Sequence, residues 1–179
     1  MKVLIDACVL YPTVMREIVL GAAAKKLFAP LWTARVLEEW ARAAVKLGPA
    51  QEALARGEIA MLRANWPDAE VAVDPDLQAQ IWLPDPDDVH VLAGAVSAGA
   101  DLILTLNLRD FPTRLLTEYG LRAQHPDAFL RDLLNQDPDA IREVAEAVRQ
   151  TAEQLSGVPQ PMRQLLKKAR LPRLGKALG

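Results

Sequence analysis

Two short apolar runs, each closed by a polar residue, constrain this chain more than any other feature. The first is Val3-Leu4-Ile5, ended by Asp6; the second is Leu102-Ile103-Leu104, ended by Thr105. Each is too short for a helix. A run that is apolar at consecutive positions, rather than at alternate ones, reads as a strand buried on both faces. Longer stretches with helical periodicity separate such runs. Thr33 is suited to cap a helix over 34–46, Gly48-Pro49 ends it, a further helix covers 50–66, and another covers 89–98 with Gly99 as its stop. Strands are also expected at 28–32, 71–73 and 121–124, and a helix from about Thr13. Strands alternating with helices predict an α/β fold, an α/β/α sandwich with a mostly parallel central sheet.

The chain changes character at Pro126. Asp127–Leu134 and Pro138–Leu155 carry amphipathic helical patterns, and Val158-Pro159-Gln160-Pro161 breaks them. The expected organisation is a core over 1–124 and a C-terminal helical extension over 125–179. From Gln160 onward six basic residues (Arg163, Lys167, Lys168, Arg170, Arg173, Lys176) face no acidic one, although the whole chain has net charge −2. The body is therefore acidic and the tail basic, the tail expected as a solvated segment able to reach nucleic-acid phosphates or fold with a partner.

Residue counts remove several chemistries. One cysteine, Cys8, excludes an internal disulfide framework and a cysteine-based zinc site; two histidines, His90 and His125, exclude a His-rich metal centre. Cys8 is expected as a small buried residue, His90 as a packed or supporting one, His125 as a turn residue, and the tryptophans Trp32, Trp40, Trp66 and Trp82 as core or interface. No apolar run is long enough to cross a membrane and the start carries no signal-peptide pattern, so no membrane association and a cytoplasmic location are expected.

What remains is rich in carboxylates. In an open α/β sheet, functional groups gather at the carboxyl ends of the strands. Asp6 closes the first strand; Thr105, Asn107 and Asp110 follow the strand over 101–105. Asp88 opens the preceding helix, where it could also act as a cap, and Glu38 and Glu39 lie early in the helix after Thr33. Carboxylates crowded in one pocket either raise one another's pKa or hold cations. Hard oxygen donors suit Mg²⁺ or Mn²⁺, which could activate water and orient a phosphodiester.

These residues also carry a resemblance. Val3-Leu4-Ile5-Asp6-Ala7-Cys8, Trp32-Thr33-Ala34-Arg35-Val36-Leu37-Glu38-Glu39-Trp40, Asp85-Pro86-Asp87-Asp88-Val89-His90 and Leu104-Thr105-Leu106-Asn107-Leu108-Arg109-Asp110-Phe111 resemble, in order and spacing, the four motifs of PIN-domain nucleases. The likeness is to bacterial toxins of the VapC kind that carry a C-terminal helical segment. It implies a metal-dependent endoribonuclease leaving 5′-phosphate and 3′-hydroxyl ends, the toxin of a type II toxin–antitoxin pair. Its partners would be an RNA substrate, an antitoxin protein and a second copy in a homodimer. Asp6 would match the first metal-ligating acid, Glu39 the second with Glu38 as the other register, and Asp88 the third. Asp110 or Asn107 would be the fourth, with Thr105 supporting the site. Cys8 stands where many relatives carry Asn. The competing expectation is a catalytically weak or inactive PIN-like module acting through a protein partner. An aspartyl-phosphate phosphatase lacks its second Asp, since Cys8 occupies that position, and no glycine-rich turn marks a dinucleotide site.

Overall fold

The computed structural model describes residues 1–179. Their contacts divide into two compact units, 1–11 with 29–124, and 12–28 with 125–179.

The first unit is built on five strands: β1 (Lys2–Ile5), β2 (Ala29–Thr33), β3 (Glu70–Val71), β4 (Leu102–Leu104) and β5 (Arg122–Gln124). They lie in the order β3-β2-β1-β4-β5, and every neighbouring pair is parallel. In register, Val3 faces Leu102 and Ile5 faces Leu104. Val3, Leu4, Ile5, Leu102, Ile103 and Leu104 are all fully buried. Successive strand residues point to opposite faces, so burial at every position means that both faces of the sheet are covered. Each such Leu or Ile contributes about 1.5–3 kcal/mol relative to an exposed position. The expected α/β/α sandwich with C-terminal helices is the observed architecture.

The helices of this unit are α1 (Ala7–Leu10), α3 (Ala34–Val45), α4 (Pro49–Asn65), α5 (Pro75–Gln80), α6 (Val89–Ser97) and α7 (Thr113–Glu118); α2 belongs to the second unit. Thr33 caps α3, its Oγ1 accepting from the Val36 N–H at 3.1 Å. Gly94 lets α6 lie close on the sheet: a Cβ there would meet Thr33 Cγ2 at 2.5 Å and Leu4 Cδ1 at 3.5 Å. Strand β3 is shorter than the expected 71–73, because Asp74 turns the chain into α5 by accepting from the Asp76 and Leu77 N–H groups. Helices α1, α5 and α7 have four to six residues each, too few to show a period in sequence.

Chain direction matters for function. From β1 the chain proceeds toward β2, on one side of the sheet order, and from β4 toward β5 on the other. The strand order therefore reverses between β1 and β4, and a crevice opens at their carboxyl ends. Asp6 and Thr105 follow those two strands directly.

The second unit joins α2 (Thr13–Ala24) to α8 (Pro126–Gln136), α9 (Pro138–Ser156), α10 (Met162–Lys168) and α11 (Pro172–Leu178). Phe28 and Phe129 meet edge to face, with ring centroids 5.1 Å apart. Gly157, in the left-handed region at φ 69°, ends α9. His125 is more than a turn residue: its Nδ1 accepts from the Asp127 N–H and caps α8. The basic tail also departs from the expectation of a solvated segment. Leu165, Leu166, Leu171 and Leu174 are buried, so α10 and α11 fold around an apolar stripe that the surrounding charges obscure in sequence. Asp127, itself buried, accepts from the N–H groups of Arg173 and Leu174, both at 2.9 Å, and ties down the start of α11. No helix is long and apolar enough to cross a membrane.

Candidate active site

Asp6 follows β1 directly. Its backbone N–H continues the sheet by donating to the Leu104 carbonyl at 3.0 Å, which places its side chain at the β1/β4 crevice. The carboxylate does not cap α1. Instead Oδ2 accepts from Thr105 Oγ1 at 2.7 Å and from Cys8 Sγ at 3.1 Å. Asp6 is only 5% exposed, and a buried carboxylate needs such donors. Thr105 in turn accepts from the Asn107 N–H at 3.0 Å, so one hydroxyl orients the acid and shapes the loop after β4.

Cys8 is a supporting residue. Its sulfur accepts from the Leu106 N–H at 3.2 Å while its proton faces Asp6. Burial, followed by the Asp6 charge, pushes the thiol up to about 12. It stays protonated near neutrality and is no nucleophile.

Asp88 ends the 3₁₀ turn Pro86–Asp88 and precedes α6, but its side chain makes no capping bond. The combined role of cap and site acid is not what the chain adopts; Asp85 caps the turn instead, accepting from the Asp87 N–H at 2.9 Å. The Asp88 carboxylate is left among other acids. Burial raises its pKa first, and the charges of Asp6, Asp110, Asp85 and Glu39 raise it further, to about 7. Four acids, from the end of β1, α3, the Pro86 turn and the loop after β4, thus act electrostatically on Asp88.

The two glutamates of α3 separate cleanly. Glu38 is half-exposed and pairs with Arg56 at 3.1 Å and Arg42 at 3.2 Å, which hold its pKa down. Glu39 is partly buried beside His90, whose Nε2 stands 2.8 Å from Oε1. That nitrogen does not meet hydrogen-bond geometry toward any group, so the pair is a close polar contact rather than an aligned bond. Burial raises the Glu39 pKa, but His90 and Arg35 together outweigh it and the net shift is downward. Arg35 Nε lies 3.2 Å from Glu39, and its Nη2 bonds Asp87. Asn107 is exposed and enters the site through its backbone, whereas Asp110 stands near enough to act on Asp88.

Sequence reasoning did not foresee that His90 and Arg35 flank Glu39. The spacing of Arg35 and Glu39, four apart on a helix, was a usable signal. The contact of His90 is tertiary and had none. The tryptophans divide: Trp32 and Trp40 are buried, but Trp82 is 73% exposed and is not a core residue.

No three His, Cys, Asp or Glu side chains converge closely enough here to enclose one ion. The donor chemistry nonetheless fits Mg²⁺ or Mn²⁺. The donors are carboxylate oxygens, and Mg²⁺ binds through one or two carboxylates while keeping several waters.

The profile of the PIN domain family matches residues 2–109, more than half of the chain. The chain belongs to the PIN domain family. Asp6, Glu39, Asp88, Thr105 and Asn107 lie within the matched span, and Asp110 directly follows it. A Mycobacterium tuberculosis protein named "Putative ribonuclease VapC50" is 46% identical over 57 residues, which are 32% of this PIN-domain chain and 34% of that protein. The aligned segment therefore spans about a third of the relative's length.

Proposed function

We propose that this PIN-domain chain is a metal-dependent endoribonuclease, the toxin of a type II toxin–antitoxin pair. The observation that supports it most is the charge-frustrated acid cluster at the β1/β4 crevice, where Asp88 is held at about 7 by burial and by neighbouring acids. Such frustration has no structural benefit and is relieved by a cation. A relative named as a ribonuclease and the family membership point the same way.

Asp6, Glu39, Asp88 and Asp110 would hold Mg²⁺ or Mn²⁺. A bound ion of this kind acidifies water and neutralises charge on a phosphodiester. The chain's own groups do the positioning. Thr105 and Cys8 aim Asp6 by donating to Oδ2. His90 and Arg35 hold Glu39 ionised. Asn107 keeps the loop closed on Thr105. We place the nuclease function in residues 1–124, with 125–179 as a helical extension. An antitoxin protein and a second copy of the chain are the proposed protein partners.

The second reading is a weak or inactive binding module. The absence of three converging ligands and the neutral Asn107 favour it. Purified protein incubated with cellular RNA and Mg²⁺ or Mn²⁺ decides between them. The nuclease gives discrete cuts that EDTA and Asp6→Asn both abolish, with the fold of the variant intact. Folded, inhibitor-free protein that cuts in neither metal, or an Asp6→Asn variant that cuts fully, overturns the nuclease reading.

A further inference from the structure

We propose that the C-terminal helical unit carries a second, cationic site that grips the phosphodiester backbone of a single-stranded RNA. The site is a cleft of about 300 Å³ between α8 and α11, lined by Arg131, Asp132, Asn135, Arg173 and Lys176. Three cations thus face one carboxylate. Two observations indicate a ligand rather than a solvated surface.

The first is an unsatisfied donor. Arg131 Nε is buried with no hydrogen-bond partner, and the guanidinium's one bond is a long 3.4 Å contact from Nη1 to the Arg173 carbonyl. Arg131 as a whole is partly exposed, and a buried N–H without an acceptor carries an uncompensated desolvation cost. Its planar fork is matched to phosphate oxygens.

The second is how the cleft is assembled. Asp127 lies one helical turn before Arg131, where a carboxylate would ordinarily pair with it. Asp127 instead accepts from the backbone N–H groups of Arg173 and Leu174. The acid that could have neutralised Arg131 thus anchors α11, which presents Arg173 and Lys176 beside it. Both residues are exposed. The same tail also carries Arg163, Lys167, Lys168 and Arg170, with no acidic residue after Gln160. Two exposed cations beside an unsatisfied Arg131 donor suit a repeating anion, and a phosphate strand is one. The choice of RNA rests on the proposed nuclease function; the cationic cleft does not.

The test is fluorescence anisotropy of a labelled single-stranded RNA 20-mer with full-length protein, in EDTA so that metal-dependent cleavage cannot interfere. Arg173→Gln with Lys176→Gln is compared with a control of equal charge change at exposed positions elsewhere, Lys46→Gln with Arg142→Gln. The cleft variant should bind about tenfold or more weakly near 0.1 M salt, and the slope of log K against log salt should flatten by about 1.4, as expected for two lost contacts to a single strand. The control should stay close to wild type, and inorganic phosphate at millimolar levels should not compete as a strand does. Equal losses in both variants would mean diffuse charge and overturn the site. So would a cleft variant whose curve overlays wild type, as expected if the cleft takes an acidic protein segment. Cleavage with unchanged binding sinks this inference alone; cleft-dependent binding without cleavage sinks the nuclease reading alone.

Discussion

Thr105 Oγ1 donates a 2.7 Å hydrogen bond to Asp6 Oδ2 while accepting the Asn107 N–H at 3.0 Å. One buried hydroxyl therefore links the ends of two adjacent strands and the loop beyond them. Thr105→Val keeps the shape but leaves Asp6 short of a donor and the Asn107 N–H without its acceptor. A hydrogen bond to a charged group contributes about 1.5–3 kcal/mol, so a loss of about 2 kcal/mol is expected in urea unfolding. Thr105→Ser retains the hydroxyl and should fall between wild type and Thr105→Val. A Val variant as stable as wild type would show that the bond carries no net energy.

Glu38 and Glu39 are neighbours with different roles. Glu39→Gln removes a carboxylate that acts on Asp88 and touches His90; metal-dependent cleavage should fall at least tenfold. Glu38→Gln removes only exposed pairs with Arg42 and Arg56. Exposed pairs contribute about 0–1 kcal/mol, and cleavage should be unchanged. Parallel cleavage time courses of the two variants check this, and the reverse pattern would put Glu38 in the site.

Asp88 links the site to stability. Its ordinary value is 3.8 and its folded value about 7. The folded chain holds the proton more tightly than the unfolded chain, so stability falls as pH rises from 3.8 through about 7 and is level above. Asp88→Asn escapes this loss. Its thermal midpoint, measured in EDTA, should match wild type near pH 4, exceed it progressively toward pH 7 and keep the full gap at pH 8. Mg²⁺ or Mn²⁺ should narrow that gap by stabilising wild type; an ion at 100 times its Kd adds about 2.7 kcal/mol. A gap that is constant with pH would remove charge repulsion as its cause.

Gly94 and Gly57 offer a paired test of close approach. A methyl at Gly94 would collide with Thr33 Cγ2 at 2.5 Å, whereas nothing lies within 4 Å at Gly57. Both are helical, and alanine gains about 0.5–1 kcal/mol over glycine in a helix. Overpacking costs about 1–3 kcal/mol and outweighs that gain at Gly94. Gly94→Ala should lower the unfolding midpoint and Gly57→Ala should raise it. Because α6 follows Asp88 directly, Gly94→Ala should also reduce cleavage.

Much of this was legible because it is local. Strands β1 and β4 announce themselves by consecutive apolar residues, which only a doubly covered parallel sheet buries. Thr33 was readable as a cap, and Asp6, Asp88, Asp110 and the Glu38–Glu39 pair as acids near strand and helix ends. Their order along the chain supplied the family resemblance. The tertiary structure alone decided the rest. Which glutamate turns inward follows from the face α3 buries against its neighbours, since adjacent helical residues point about 100° apart. Whether Asp88 caps a helix or faces other acids depends on where the Pro86 turn lies relative to β1 and β4. The folding of the basic tail depends on Asp127, 46 residues before Arg173. Sequence states which groups the chain carries and which local geometry each prefers. Distances between groups far apart in the chain, and therefore charge coupling and desolvation, arise only when the sheet and helices close around them.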